Sequence, residues 1–309
     1  MEKVRITHLD GKLPNLALMK LSAWHRENGD DVYFSKSPYR DLFEPKEFDR
    51  VYGSTIFTRS INVQNAFRTE FPNALVGGTG SDSKDEVEAI TGEYEGLDYS
   101  IYPSFKHSIG FSQRGCRLKC KFCVVPKKEG RIRDNLSIHE IWRGEHHPRE
   151  VILMDNDFFG QPDWEEKAKE IIAGKFKVCF CQGINVRLIH EDGARYLKKM
   201  RYYNSDFTSR RIYTAYDNPR DKKIFWRGFN ILKDAGIPTS HIMVYMLVGF
   251  WDGETMDDVM ERFNQIRDTG ALAYPMVYND KDKELKKFQR WVIRRYYKFI
   301  PWEQYDNTI

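Results

Sequence analysis

The sequence predicts an α/β protein with parallel strands covered by helices, and three observations carry that reading. From residue 108 onward, six apolar strand-length segments alternate with helical patterns. Gly174, Gly236 and Gly270 follow three of those helices, where a helix-ending glycine belongs. The first eighty residues have a shorter βαβ-like rhythm. There, residues 4–6 predict a strand, 16–26 a helix, 31–34 and 51–57 two strands, 63–70 a helix and 74–76 a short strand ending in Gly77-Gly78. Residues 80–94 are acidic and polar and predict a linker or domain junction. Strands follow at 108–113, 150–155, 176–182, 211–216, 242–249 and 271–277, with helices at 164–172, 190–200, 221–235, 255–268 and 284–297.

A chain of 309 residues allows one large domain, or a large domain with a smaller companion. Hydrophobic residues make up 41% and aromatics 14%, enough for a sizeable core and against global disorder. The 49 basic and 45 acidic residues leave a formal charge of +4, without the basic excess that would by itself point to nucleic acid. The opening MEKVRITHLDG has no apolar signal-peptide core, and no run approaches the roughly 18 apolar residues of a membrane span. A cytoplasmic protein without a membrane partner is expected. Five cysteines is an odd number for a disulfide framework, and three of them crowd into eight positions. In a reducing compartment such crowding reads as metal ligation or redox chemistry.

The segment SIGFSQRGCRLKCKFC, from Ser108 to Cys123, puts a strand before a tight loop carrying Cys116, Cys120 and Cys123. Gly115 lets the backbone turn beside the first thiol. Three thiolates can hold three irons of a cubane cluster and leave the fourth open to an outside ligand, as a catalytic site requires. A zinc site completed by His107 is the competing arrangement. Buried structural thiols fit less well, because Arg117, Lys119 and Lys121 interleave with the cysteines.

The spacing CxxxCxxC, with Phe122 before the last cysteine, resembles the signature of the radical S-adenosylmethionine superfamily. That resemblance implies a partial (β/α)6 TIM-like barrel preceded by a small Rossmann-like βαβ domain. It implies a 4Fe–4S cluster whose open iron is chelated by S-adenosylmethionine. Reductive cleavage then releases methionine and a 5′-deoxyadenosyl radical that abstracts hydrogen from an unidentified substrate. Methyl transfer, sulfur insertion and rearrangement all start from that point, and no catalytic side chain is assigned. A reducing partner such as flavodoxin or ferredoxin is implied as well.

The later strand ends add candidates, because parallel barrels carry their chemistry at the C-terminal ends of their strands. Asp155, Asn156 and Asp157 resemble the family's acidic pair before an aromatic, which holds the cofactor's amino group; alone they would read as a turn and helix cap. Gln182-Gly-Ile-Asn185-Val-Arg187 resembles the QG-x-N/D-x-R run of cobalamin-associated and methylthiolating relatives. Arg187 is then a partner for the cofactor carboxylate or for a helix start, Asn185 a partner for ribose hydroxyls, and Gln182 part of the same run. Leu247 and Gly249 lie on a strand resembling the one whose backbone contacts adenine. Cys179 and Cys181 share a strand face and read as packed thiols, with hydrogen-atom donation or extra metal ligation as the alternative. Tyr213 and Tyr216 read as barrel filling.

Residues 1–80 resemble a shortened cobalamin-binding domain. Its cobalt-site hallmark, Asp-x-His-x-x-Gly, is incomplete: His8-Leu-Asp-Gly11 keeps one half, but Ile6 stands where the aspartate belongs. Loss of cobalamin fits better than its retention, with base-off binding without the histidine as the family's other possibility. The expected organisation is a degenerate cobalamin-binding-like domain at 1–95, the barrel at 96–280 and a helical extension at 281–309. The extension is basic and aromatic and offers an RNA-binding face, although such a helix more often turns its aromatics to the core. The alternative function is a non-catalytic zinc- or iron–sulfur-binding protein, with RNA as its partner.

Overall fold

The computed structural model describes residues 1–83, 86–133 and 136–306, in two compact units, Met1–Lys106 and His107–Ile309. In the first unit the elements are β1 (Lys3–His8), α1 (Leu16–Glu27), β2 (Asp31–Ser35), β3 (Arg50–Ser54), α2 (Ile61–Glu70), β4 (Leu75–Gly77) and α3 (Glu88–Thr91). The four strands form a parallel sheet in the order β2-β1-β3-β4. After its first residue β1 is buried throughout, which is why KVRITH does not alternate as a half-exposed strand would. β3 stops at Ser54, short of the expected residue 57, because the Asp10 carboxylate takes the amides of Ile56 (2.6 Å) and Phe57 (3.0 Å).

Within the acidic stretch, α3 packs against α1 in place of a bare linker. The buried Lys20 ammonium of α1 reaches Glu88 and Glu95, each at 3.3 Å, and so recruits that acidic segment. Residues 84 and 85 of the stretch lie outside the described residues.

The second unit begins with β5 (Ser108–Gly110), α4 (Val125–Lys128), α5 (Ile138–Ile141), β6 (Glu150–Leu153), α6 (Trp164–Ala173), β7 (Lys177–Phe180), α7 (Glu191–Lys199) and β8 (Arg201–Tyr202). It continues with β9 (Ile212–Ala215), α8 (Lys222–Asp234), β10 (Ile242–Val248), α9 (Met256–Asp268), β11 (Leu272–Val277) and α10 (Lys283–Ile293). All pairings are parallel, in two sheets ordered β5-β6-β7-β8 and β11-β10-β9. The six expected strands are β5, β6, β7, β9, β10 and β11. The two-residue β8 was not legible in the sequence; it pairs with Lys177 and Val178 on the edge of β7. Beyond it, Ile184 donates its amide to the Tyr213 carbonyl (2.8 Å) and Thr214 its hydroxyl to the Ile184 carbonyl (2.9 Å), linking the end of β7 to β9. The result is a partial α/β barrel, with no closed barrel among the described residues.

Along β10, Ile242, Val244, Met246 and Val248 are buried and alternate with partly exposed Met243, Tyr245 and Leu247. The buried set joins one core with Phe225 and Phe229 of α8, Phe263 of α9, and Phe288 and Trp291 of α10. Each large apolar side chain contributes about 1.5–3 kcal/mol when fully buried, so α10 is held chiefly by its aromatic face. Lys281 and Lys283 are exposed. α10 ends before the expected residue 297, because Arg295 takes a left-handed conformation with φ 61°. No helix of the described residues is long and apolar enough to cross a membrane.

Candidate functional site

The cysteine loop closes on itself before it does anything else. Arg114 and Arg133 exchange backbone hydrogen bonds of 3.0 Å, and the Cys116 amide reaches the Gly130 carbonyl at 3.4 Å. Gly115 sits between them at φ +82°, and a Cβ there would lie 2.3 Å from the Arg131 carbonyl oxygen, so no other residue fits. The closure turns three free, half-buried thiols toward one cavity of about 240 Å³. Cys116, Cys120, Cys123 and Phe122 line it, together with Asn156 after β6 and Gln182, Asn185 and Arg187 after β7. Burial pushes the Cys116 and Cys123 thiols up from their ordinary range, so a metal would have to displace their protons.

The zinc arrangement fits poorly. Among the described residues, the one trio of His, Cys, Asp or Glu ligand atoms lying within 4.8 Å of one another is Glu2, His25 and Asp30, in the first unit. The three sulfurs therefore spread wider than the roughly 3.8 Å that a tetrahedral ion with about 2.3 Å bonds requires. His107 is engaged elsewhere, at 2.7 Å from Glu150 and against the Phe207 ring. A multi-iron cluster suits the wider spacing, and the loop's composition matches, since none of the three thiols is in a disulfide.

The strand-end candidates divide. After β6, Asn156 faces the cavity. Asp157 lies outside the cavity lining; it receives the Arg117 Nε at 2.6 Å on one oxygen, while its buried Oδ1 has no hydrogen-bond partner. Asp155 does not line the cavity: it is 3% exposed and accepts the amides of Ser112 (2.7 Å) and Gln113 (3.1 Å) and the Ser112 hydroxyl. Burial raises its pKa to about 6.

After β7, Arg187 spreads its guanidinium over three neighbours. It reaches Asp221 at 2.6 Å, the Asn185 oxygen at 3.2 Å and the Cys120 sulfur at 3.9 Å. Both roles read for it from sequence thus meet in one side chain: a bond to the α8 start, and reach into the cavity. The Asn185 Nδ2 is buried without a hydrogen-bond partner, as are both polar atoms of the Gln113 side chain.

Leu247 and Gly249 lie outside the cavity lining. Their amides are held by Asp217 (3.0 Å) and Glu254 (2.8 Å) respectively. Asp217 itself lines the cavity, and burial raises its pKa. Sequence reasoning passed over Asp217, although Tyr216-Asp217-Asn218-Pro219 carries the same strand-end acid signal as Asp155. Tyr245 also lines the cavity and stacks on Tyr213 at 5.8 Å. Tyr216 is packed against Phe225 at 4.5 Å. Cys179 is buried and Cys181 half-buried, outside the lining; hydrogen bonding between the two, then burial, raises the Cys179 thiol.

Whether the first unit fits a histidine-ligated cobalamin turns on His8. The Asn15 amide donates to the Tyr102 hydroxyl at 3.2 Å, and that hydroxyl stands 3.0 Å from His8 Nδ1. The Nδ1 edge of the ring is thus held by Tyr102, while Nε2 is buried without a hydrogen-bond partner. His8 is 4% exposed, and burial lowers its pKa, keeping the ring neutral. Its Nε2 is turned under the loop, 3.2 Å from where a Cβ on Gly11 would stand. With Nε2 buried against Gly11, a cobalt could reach it only if this loop moved, so His8 as folded does not fit as an axial ligand.

Comparison with known proteins agrees with this geometry. The family described as the Radical SAM superfamily matches residues 111–266. The apo, selenomethionine-labelled structure of a cobalamin-dependent S-adenosylmethionine radical enzyme, OxsB, is similar with a TM-score of 0.59 and 12% identity over 96% of this chain. This chain spans 55% of the length of that structure. A structure of an SsGBP variant, at 10% identity over 96% of this chain and 98% of its own, has a TM-score of 0.23 and carries no argument. No match is found among curated proteins.

Proposed function

The chain belongs to the radical SAM superfamily, and we propose that it is an enzyme that cleaves S-adenosylmethionine reductively at the cavity of its second unit. The observation that carries the proposal is the convergence of three free thiols and the exits of β6, β7 and β9 on one cavity. A 4Fe–4S cluster with bound S-adenosylmethionine would supply there the electron that breaks the sulfonium bond, and with it hydrogen-atom abstraction from a substrate. Cys116, Cys120 and Cys123 would hold three irons and leave the fourth for the methionine part of the cofactor.

This chain's own residues do the rest by binding and orientation. The amide oxygen of Asn156, in the cavity lining, suits a cationic amino group, with the unpartnered oxygen of the adjacent Asp157, outside the lining, as a further acceptor. Arg187, whose planar fork matches a carboxylate, stands beside Cys120, where the carboxylate end of the cofactor would have to lie. Asn185 has a donor to spare, and Asp217 an acceptor edge, for ribose hydroxyls. Phe122, edge-on to Phe250 at 5.6 Å, walls the apolar side. The final reaction is proposed only as a class: methyl transfer, sulfur insertion or rearrangement on an unidentified substrate. A flavodoxin- or ferredoxin-type donor and a cytoplasmic setting belong to the same proposal.

Anaerobically reconstituted protein, reduced with dithionite and mixed with S-adenosylmethionine, should be brown and should yield 5′-deoxyadenosine. Colourless protein that forms none of that product would overturn the proposal.

A further inference from the structure

The sequence reading sets Asp155 against the cofactor's amino group, but the structure gives its carboxylate other work. The ladder between β5 and β6 runs on to the Met154 amide, which meets the Gly110 carbonyl at 2.9 Å. Directly beyond it, Asp155 takes the Ser112 and Gln113 amides and the Ser112 hydroxyl. From the other side comes Lys167 of α6, itself only 3% exposed. Its ammonium donates to the Ser112 carbonyl at 2.6 Å and to the Gln161 side-chain oxygen at 2.6 Å. The Gln161 amide in turn stands 3.4 Å from the Ser112 hydroxyl.

Every polar atom of Ser112 is thereby engaged. A carboxylate faces its N–H and an ammonium faces its C=O, so each charge meets the matching end of a peptide dipole. Ser112 lies four residues before Cys116, and the backbone between them passes through Gly115, whose conformation is set by contact with Arg131. A buried ion pays several kcal/mol in lost hydration. Two of them converging on one serine beneath a loop otherwise short of regular structure mark a point whose position matters.

We propose that Asp155 and Lys167 are positioning residues that stake the cysteine loop at Ser112 and so set the three thiols for the cluster, without touching the cofactor. The proposal rests on the reading that Cys116, Cys120 and Cys123 hold that cluster. Its logic is that of partners one step removed from a metal, which orient the ligands and whose loss typically weakens metal retention by about 10- to 100-fold.

The test compares the full chain with Asp155→Asn, Lys167→Met and Ser112→Ala. Iron loss is followed as bleaching of the reconstituted protein under a chelator. S-Adenosylmethionine affinity is measured by calorimetry on the cluster-bearing fraction. Amide exchange at residues 112 and 113 is measured on metal-free protein, and thermal unfolding is recorded for every variant. Asp155→Asn and Lys167→Met should lose iron about 10- to 100-fold faster and exchange those amides faster, by more than any fall in unfolding temperature accounts for, with cofactor affinity unchanged. Ser112→Ala, which removes only the hydroxyl and serves if Lys167→Met fails to fold, should follow with a smaller effect. Weaker cofactor binding at the wild-type rate of iron loss would overturn the proposal and make Asp155 a cofactor contact. Iron loss that merely tracks a lower unfolding temperature would overturn it too. If the wild-type chain takes up no iron, the cluster reading fails, and unchanged exchange at residues 112 and 113 in Asp155→Asn would remove the stake as well.

Discussion

The two units end their parallel strands in contrasting ways. In the first, the exits of β1 and β3 are closed by the chain's own side chains. Asp10 caps Ile56 and Phe57, Asn15 donates to the Ser54 hydroxyl at 2.9 Å, and the Gln64 amide reaches the Thr55 hydroxyl at 2.7 Å and the Gly80 carbonyl at 2.8 Å. In the second, the exits of β6, β7 and β9 surround a cavity whose lining includes Asn185, with its Nδ2 buried and without a hydrogen-bond partner. Among the described residues of the first unit the atom of that kind, His8 Nε2, is instead packed against Gly11. An unsatisfied buried polar group costs about 1–3 kcal/mol. A fold keeps such a group in a cavity lining where a ligand supplies the missing bond. The contrast teaches that parallel α/β topology offers a site at the strand ends, while side chains decide whether the site stays open.

The strongest way to break this contrast is to remove a thiol from the open exit. Cys120→Ala should abolish both the iron chromophore and 5′-deoxyadenosine formation, read by iron analysis and product chromatography; full retention of either would end the assignment. A weaker intervention is Arg187→Met, which deletes a charged donor while sparing the thiols. Cofactor affinity should fall about 10- to 100-fold, as expected for a lost charged hydrogen bond, with iron per chain unchanged in the same preparation.

On the closed side, His8→Phe removes the link to Tyr102. It should lower stability by about 1–3 kcal/mol in denaturant unfolding and leave iron content as it was. Added hydroxocobalamin should keep its free spectrum with the parent chain and the variant alike; a spectral shift abolished by His8→Phe would restore His8 as a cobalt ligand. The smallest effect is expected from Cys181→Ser. Iron per chain should not change, because that thiol lies outside the cavity; a drop would reveal a second metal site on β7.

How much of this was legible beforehand differs from residue to residue. The thiol loop could be read outright, because spacing along a short loop is a local property. The six barrel strands were equally plain, since each is an apolar segment of strand length between helical patterns. β8 was invisible: two residues carry no periodicity, and only the free edge of β7 makes Arg201 and Tyr202 a strand. The acidic stretch of residues 80–94 reads as a junction in sequence, and only the structure shows Lys20 drawing in its Glu88 and the Glu95 that follows it.

Among site residues the division is sharper. Asp155, Asn156 and Asp157 are three adjacent polar residues, and nothing local says that one turns to Ser112, one to the cavity and one to Arg117. Asp217, Gln161 and Lys167 gained meaning only from elements that fold against them.

The sequence alone thus determined the order of the six barrel strands and the long helices between them, the three thiols and the family to which their spacing belongs, because those depend on neighbours along the chain. Tertiary structure alone decided which strand ends stay open, where Arg187 and Asp217 point, and that His8 is turned inward. These outcomes follow from hydrogen bonds between residues tens of positions apart. The bond between Tyr102 and His8 spans 94 residues and that between Ser112 and Asp155 spans 43, separations across which no local pattern carries information.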